Sequence, residues 1–242
     1  MVSAADPRAA AAGVEILRQG GSATDAAIAT MLALNVVEPQ SAGIGGGAFF
    51  VRYDARSGGT TTIDGREAAP RAADMRWFYR PDGTPLGHEE AIPGGRSVGV
   101  PGTLRAMAMA HAKGGRLPWS ALFQPAIRLA RDGWLLSPRF ANMMRSYAGF
   151  VDAGAARVFL DPSGQPLPAG TRVRNPEQAA LFERIGRTGP EAFYSGATGR
   201  QIVAAVNGAA RNPSKMTAAD LAAYRAKPRA PVCATYRAYR VC

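Results

Sequence analysis

The stretch that most constrains this chain is Gln40–Ser41–Ala42–Gly43–Ile44–Gly45–Gly46–Gly47, followed about twenty residues later by Asp64–Gly65–Arg66–Glu67–Ala68–Ala69–Pro70. Glycine supplies φ > 0 and lets backbone pass where a Cβ would clash. Arg66, next to the glycine of a tight turn, presents a planar guanidinium fork that matches a carboxylate bidentately. Together the two segments predict a site that grips a small carboxylate-bearing molecule, beside a core too crowded for Cβ atoms.

Gly43–Ile44–Gly45–Gly46–Gly47–Ala48 formally fits a dinucleotide fingerprint with Ala in the last place. That fingerprint works only between a strand and the helix it opens, because the helix N-terminus holds the pyrophosphate. Here the order is reversed: Ser22 to Val37 reads as a helix, and Phe49–Phe50–Val51–Arg52–Tyr53 as a strand. No acidic residue follows at the expected distance within a βαβ unit, and no Gly-Lys-Ser/Thr ending makes a P-loop. The run is read as a structural or active-site turn.

The chain has 242 residues, 47% of them hydrophobic, enough for one large domain or two small ones. No apolar run reaches the length of a membrane span. Met1–Val2–Ser3–Ala4–Ala5–Asp6–Pro7 shows no basic region followed by an apolar one, so no signal peptide is visible in this chain. The net charge of +11 is carried by arginine, lysine occurring only at Lys113, Lys215 and Lys227. The arginines are scattered rather than gathered on one face, which argues against nucleic acid. The nearest thing to a patch, Arg225–Ala226–Lys227–Pro228–Arg229 with Tyr236–Arg237–Ala238–Tyr239–Arg240, also describes an edge strand. Cys233 and Cys242 lack zinc spacing, and the sequence leaves open whether they pair. His88 and His111 lack any metal-ligand pattern and read as surface residues, so neither a metal nor a cofactor is expected.

Met1 to Ala5 predicts a short strand. Asp6–Pro7 then opens a helix to Arg18, with Asp as N-cap and Pro at the first helical position; Ala10, Val14 and Leu17 are its expected apolar face, flanked by Ile16. Gly20–Gly21 stops it. Ser22–Ala23–Thr24–Asp25 is a capping box, and the helix it opens, Ala26 to Val37, is apolar nearly all round, as a buried helix is. After the glycine loop, Ala48 to Asp54 and Thr60 to Asp64 form a hairpin signal around Ala55–Arg56–Ser57–Gly58–Gly59. Turns fall at Pro81–Asp82–Gly83 and Pro93–Gly94–Gly95. Helices dominate from Gly102: Thr103 to Ala112, Pro118 to Asp132, Pro138 to Tyr147, Pro176 to Ile185, Ala197 to Ala209, and Thr217 to Tyr224 with a Thr-x-x-Asp cap at Asp220. Ala230 to Cys242 reads as extended. The strand-like run Tyr236 to Cys242 carries no closing turn, which predicts a chain cut from a longer one.

These residues resemble the γ-glutamyltranspeptidase family. The similarity runs from Met1–Pro7 with Ala11–Ala27 through Val37–Gly47 and Asp64–Pro70. It continues in Gly94–Thr103, Leu117–Trp119, Pro125–Ile127, Ala192–Tyr194 and Thr217–Tyr224, collinear over essentially the whole chain. The resemblance implies an α+β N-terminal-nucleophile hydrolase, an αββα sandwich. Here it is incomplete: residues 1–70 start the core, 71–229 form a largely helical excursion, and 230–242 are a strand returning to the core and truncated. Such a proenzyme cleaves itself into two subunits, and the new N-terminal Thr of the small subunit is the nucleophile. The resemblance implies a γ-glutamyl donor such as glutathione, water or an amino acid or dipeptide as acceptor, the small subunit of the same precursor as partner, and a periplasmic or extracellular location. Arg66 matches the family arginine that binds the donor's α-carboxylate. No catalytic residue falls in this chain, which alone is expected to be inactive. Thr60–Thr61–Thr62 is not the nucleophile, since it lies upstream of the Arg motif inside a strand, where Thr is a good β residue. The alternatives are a cephalosporin or glutaryl acylase of the same fold and a non-catalytic basic binding module.

Overall fold

The computed structural model describes residues 1–147 and 150–242. In chain order its helices are α1 (Pro7–Arg18), α2 (Ala23–Val37), α3 (His88–Ala91), α4 (Thr103–Gly114), α5 (Trp119–Asp132), α6 (Pro138–Tyr147), α7 (Ala153–Phe159), α8 (Pro176–Thr188), α9 (Glu191–Tyr194), α10 (Gly196–Asn207) and α11 (Ala218–Ala223). The strands are β1 (Ala48–Asp54), β2 (Gly59–Gly65), β3 (Trp134–Leu135), β4 (Arg172–Val173), β5 (Lys227–Arg229), β6 (Ala234–Tyr236) and β7 (Tyr239–Val241). The mixture is α+β, as the sequence predicted. The chain divides into two compact units, Met1–Gly43 with Gly114–Ala192, and Ile44–Lys113 with Phe193–Cys242.

The first unit is helical. Asp6 caps α1 by accepting from the Arg8 N–H, with Pro7 behind it. Residues 1–5 form no strand and pair with no strand among the described residues; Val2 lies against Gly13 of α1. The buried face of α1 is Ala9, Ala12, Gly13 and Ile16, not the expected Ala10, Val14 and Leu17. Small residues win that face because α2 comes close: a Cβ on Gly13 would sit 3.2 Å from the Ala26 carbonyl oxygen. Helix α2 is buried along most of its length, as its all-round apolar sequence predicts. It packs on α5, and α5 on α8, with Phe123 edge-on to Trp119 and Phe182.

One carboxylate ties this unit together. Ser22 and Asp25 form the predicted capping box at the start of α2. Asp25 Oδ2 also accepts the backbone N–H groups of Arg116 and Leu117, at 2.8 and 3.2 Å, so a helix cap doubles as a long-range tether. Burial pushes the Asp25 carboxyl up, but the N–H donors of Ser22, Arg116 and Leu117 outweigh it and hold the carboxyl below its ordinary value.

The second unit is built on a three-stranded antiparallel sheet, ordered β1-β2-β5. The hairpin register pairs Ala48 with Gly65 and Tyr53 with Thr60. One face packs Ile63 and Phe50 against Ala106, Ala110 and Met109 of α4 and against Ala226. The strand that joins β2 is Lys227–Arg229. The expected extended run from Ala230 turns back on itself instead: β6 pairs with β7, Arg237 takes φ +54° at the turn, and a Cys233–Cys242 disulfide closes the hairpin.

The glycine loop does its work by close approach rather than by left-handed backbone. Neither Gly45 nor Gly47 has positive φ. A Cβ on Gly47 would lie 2.9 Å from the Arg66 Cα. The Gly46 carbonyl accepts the N–H groups of Gly102 (2.9 Å) and Thr103 (3.1 Å), which docks the start of α4 on the loop. There a Cβ on Gly102 would sit 2.7 Å from the Gly65 carbonyl carbon, and one on Gly65 would sit 3.0 Å from the Gly102 oxygen.

Overpacking a site of this kind costs about 1–3 kcal/mol, so Gly102→Ala should lower the denaturant midpoint, while Gly45→Ala, whose Cβ meets nothing within 4 Å, should leave it nearly unchanged. Asp25→Asn should cost about 1–3 kcal/mol at neutral pH. Because the folded-state value is depressed, the contribution of Asp25 is complete above its unfolded value of about 3.9 and is lost as pH falls through the folded value. Urea midpoints of the variant and parent should therefore converge in acid.

Candidate functional site

Strand β2 ends at Gly65 and hands the chain to Arg66. The Arg66 backbone is held on both sides. Its N–H donates to Asp64 Oδ1 at 2.9 Å, and its carbonyl accepts the Tyr224 hydroxyl at 2.6 Å. Asp64 Oδ2 in turn accepts two N–H groups of Arg229, from Nε at 3.0 Å and from a terminal nitrogen at 2.9 Å. The Arg66 N–H and then the Arg229 guanidinium hold the Asp64 carboxyl below the usual carboxylate range.

The Arg66 side chain is 75% exposed and lies 3.5 Å, through Nε, from Glu67 Oε2. Both terminal nitrogens are without a partner among the described residues. Exposed pairs of this kind contribute little to stability, so folding alone does not account for an arginine whose backbone is so firmly fixed. Glu67 is folded against glycine: a Cβ on Gly99 would stand 2.7 Å from the Glu67 Cβ, and one on Gly47 would collide with its carboxylate. Beyond it, Ala68 and Val100 exchange backbone hydrogen bonds of 3.3 and 2.7 Å. Arg71 follows with its N–H on Asp220 Oδ1 at 3.2 Å. The structure thus brings the glycine loop and the Arg motif together, as their sequence suggested, and adds the Gly99–Thr103 segment, which the sequence had not placed there.

What this arrangement can do is bind an anion. It offers one planar cation with free terminal nitrogens, a single carboxylate at its Nε, and a backbone that cannot drift. Thr60, Thr61 and Thr62 lie in β2, paired with Tyr53, Arg52 and Val51. His88 is exposed and His111 lies on α4, and no group of three His, Cys, Asp or Glu could hold a metal ion among the described residues. A groove of about 360 Å³ opens in the first unit, lined by Arg8, Glu15, Pro125, Arg128, Leu129 and Asp132; Arg66 does not line it. Two residues that shape the site escaped sequence reasoning. Arg229 read only as part of a basic run, and Tyr224 only as the end of a helix.

The family model for gamma-glutamyltranspeptidase matches residues 9–242. A glutathione hydrolase proenzyme of Escherichia coli (strain K12) is 35% identical over 243 aligned positions, covering 100% of this chain and 41% of that protein. An Acylase ACY 1 proenzyme of Pseudomonas sp. (strain SE83) is 36% identical over 250 positions, covering 100% of this chain and 44% of that protein. The crystal structure of Helicobacter pylori gamma-glutamyltranspeptidase superposes with a TM-score of 0.93 at 30% identity, over 100% of this chain and 68% of that one. The chain spans about two fifths of the length of these curated relatives. The chain therefore belongs to the gamma-glutamyltranspeptidase family.

Proposed function

We propose that this chain carries the donor-carboxylate site of a γ-glutamyl acyl-transfer enzyme, an N-terminal-nucleophile hydrolase made as a longer proenzyme. The observation that carries the reading is Arg66: fixed at N–H and carbonyl, open at its terminal nitrogens, and placed on the motif by which the chain resembles its family. In this reading a γ-glutamyl donor such as glutathione lays its α-carboxylate on the Arg66 fork. That orients the γ-carbonyl toward a threonine at the N-terminus of the small subunit of the same precursor. The threonine oxygen attacks that carbonyl, its proton passes to the threonine α-amine, and the amine leaving group takes the proton. Water, an amino acid or a dipeptide then accepts the γ-glutamyl group. No residue of this chain takes part in bond making, so the chain alone is inactive.

One further feature supports the wider reading. The second face of the sheet exposes Phe49, Val51 and Tyr53, which is the face an αββα sandwich covers with its second sheet. No helix among the described residues is long and apolar enough to cross a membrane; a periplasmic or extracellular location is carried over from the family resemblance alone.

A second reading, an acylase acting on glutaryl side chains, is favoured by the similarity to the Pseudomonas acylase. A glutaryl group keeps the carboxylate and lacks the α-amine, so Arg66 serves either donor. Turnover of γ-glutamyl against glutaryl p-nitroanilide separates the two: a γ-glutamyl enzyme prefers the first. In the processed full-length protein, Arg66→Ala should lower kcat/KM for the γ-glutamyl anilide by about 2–5 kcal/mol, roughly 30-fold or more; an unchanged value would contradict the site. The purified 242-residue chain should release no p-nitroaniline, and turnover by it would contradict the division of roles.

A further inference from the structure

We propose that Tyr224 is a positioning residue for Arg66: its hydroxyl fixes the backbone from which the guanidinium is presented and so sets selectivity for donors that carry a carboxylate. The inference rests on the reading of Arg66 as the donor-carboxylate ligand.

The observations come from α11 and the residue that follows it. Tyr224 follows the helix directly, and its hydroxyl donates to the Arg66 carbonyl at 2.6 Å. At the other end of α11, Asp220 closes a capping box with Thr217 and also accepts the Arg71 N–H. One short helix therefore clamps both ends of the segment Arg66 to Arg71. The residue is buried, and a buried hydroxyl without an acceptor is costly. The Arg66 carbonyl is the acceptor it has.

The ring cannot swing the hydroxyl elsewhere. It stacks on Tyr194 at 6.5 Å between centroids, with 6° between planes. Tyr194 is itself fixed, its hydroxyl donating to the Pro101 carbonyl at 2.9 Å and its face covered by the Arg105 guanidinium at 4.3 Å. A Cβ on residue 102 would collide with the Tyr224 hydroxyl, so the brace requires glycine there. Burial, then the charges of Asp64 and Glu67, raise the Tyr224 pKa above its ordinary value, which keeps the hydroxyl protonated and donating.

With the N–H on Asp64 and the carbonyl on Tyr224, both backbone polar groups of Arg66 are held, and side-chain torsions remain to set where the guanidinium lies. Preorganisation of this sort lowers the ordering cost of binding. Loss of the hydroxyl releases the carbonyl end alone.

The test compares parent, Tyr224→Phe and Arg66→Ala in the processed full-length protein. Two donors are used: the p-nitroanilide of γ-glutamate, and that of 4-aminobutanoate, which lacks the α-carboxylate. The readout is the ratio of their kcat/KM values. A fall in folded protein lowers both alike and leaves the ratio unmoved, so the readout reports positioning rather than stability. Phenylalanine keeps the ring stack and removes only the hydroxyl. The ratio should fall about three- to tenfold in Tyr224→Phe, as expected for one hydrogen bond, with the loss carried in KM for the γ-glutamyl donor rather than in kcat. It should collapse in Arg66→Ala. Collapse in Arg66→Ala with a parental ratio in Tyr224→Phe overturns the role of Tyr224 and leaves Arg66 standing. A parental ratio in both variants overturns the Arg66 reading, and the Tyr224 inference with it.

Discussion

The organisation of the second unit depends on backbone meeting backbone where no side chain fits. The end of β2 and the start of α4 touch at Gly65 and Gly102, and the glycine loop touches Arg66 at Gly47. Any Cβ at these points would force segments apart that carry the candidate site between them. Gly46 adds the bonds that hold them, since its carbonyl receives both N–H groups at the entry to α4. Close approach comes first; the arginine, its neighbours and their hydrogen bonds are arranged on what it permits.

A second device recurs in both units. A carboxylate at or near the end of a secondary-structure element satisfies local N–H groups and also reaches a distant segment. Asp25 caps α2 and tethers Arg116–Leu117. Asp220 caps α11 and holds the Arg71 N–H. Asp64 takes the Arg66 N–H and the Arg229 guanidinium. Each carboxyl stays below its ordinary pKa because fixed donors surround the charged form. In a chain with a net charge of +11, few carboxylates are available, and these three serve as joints.

Much of this was legible in the sequence where the cause is local. Caps at Asp6, Ser22 and Thr217, the hairpin around Gly58–Gly59 and the buried character of α2 follow from residue types at fixed spacing, and the structure bears them out. What failed depended on distant partners. The face of α1 is chosen by how near α2 comes, so Gly13 and Ile16 are buried where hydrophobicity favoured Val14 and Leu17. Residues 1–5 have strand-like composition and no strand to pair with among the described residues. The run before Cys242 reads as one strand until a turn at Arg237 and a disulfide fold it into two. At the site the pattern is the same. Arg66 was visible through its motif, whereas Tyr224 and Arg229 reach it from more than 150 residues away, and nothing in local spacing announces that.

An arginine held at its own backbone and open at its fork has the geometry to receive one carboxylate, and we propose that a γ-glutamyl donor supplies it. The most direct test is a crystal structure of the processed full-length protein with L-glutamate bound. The account predicts the α-carboxylate within hydrogen-bond distance of the terminal nitrogens of Arg66, with the Tyr224 and Asp64 contacts to the Arg66 backbone intact. Glutamate bound with its α-carboxylate on other groups, and Arg66 still turned to solvent, would contradict it.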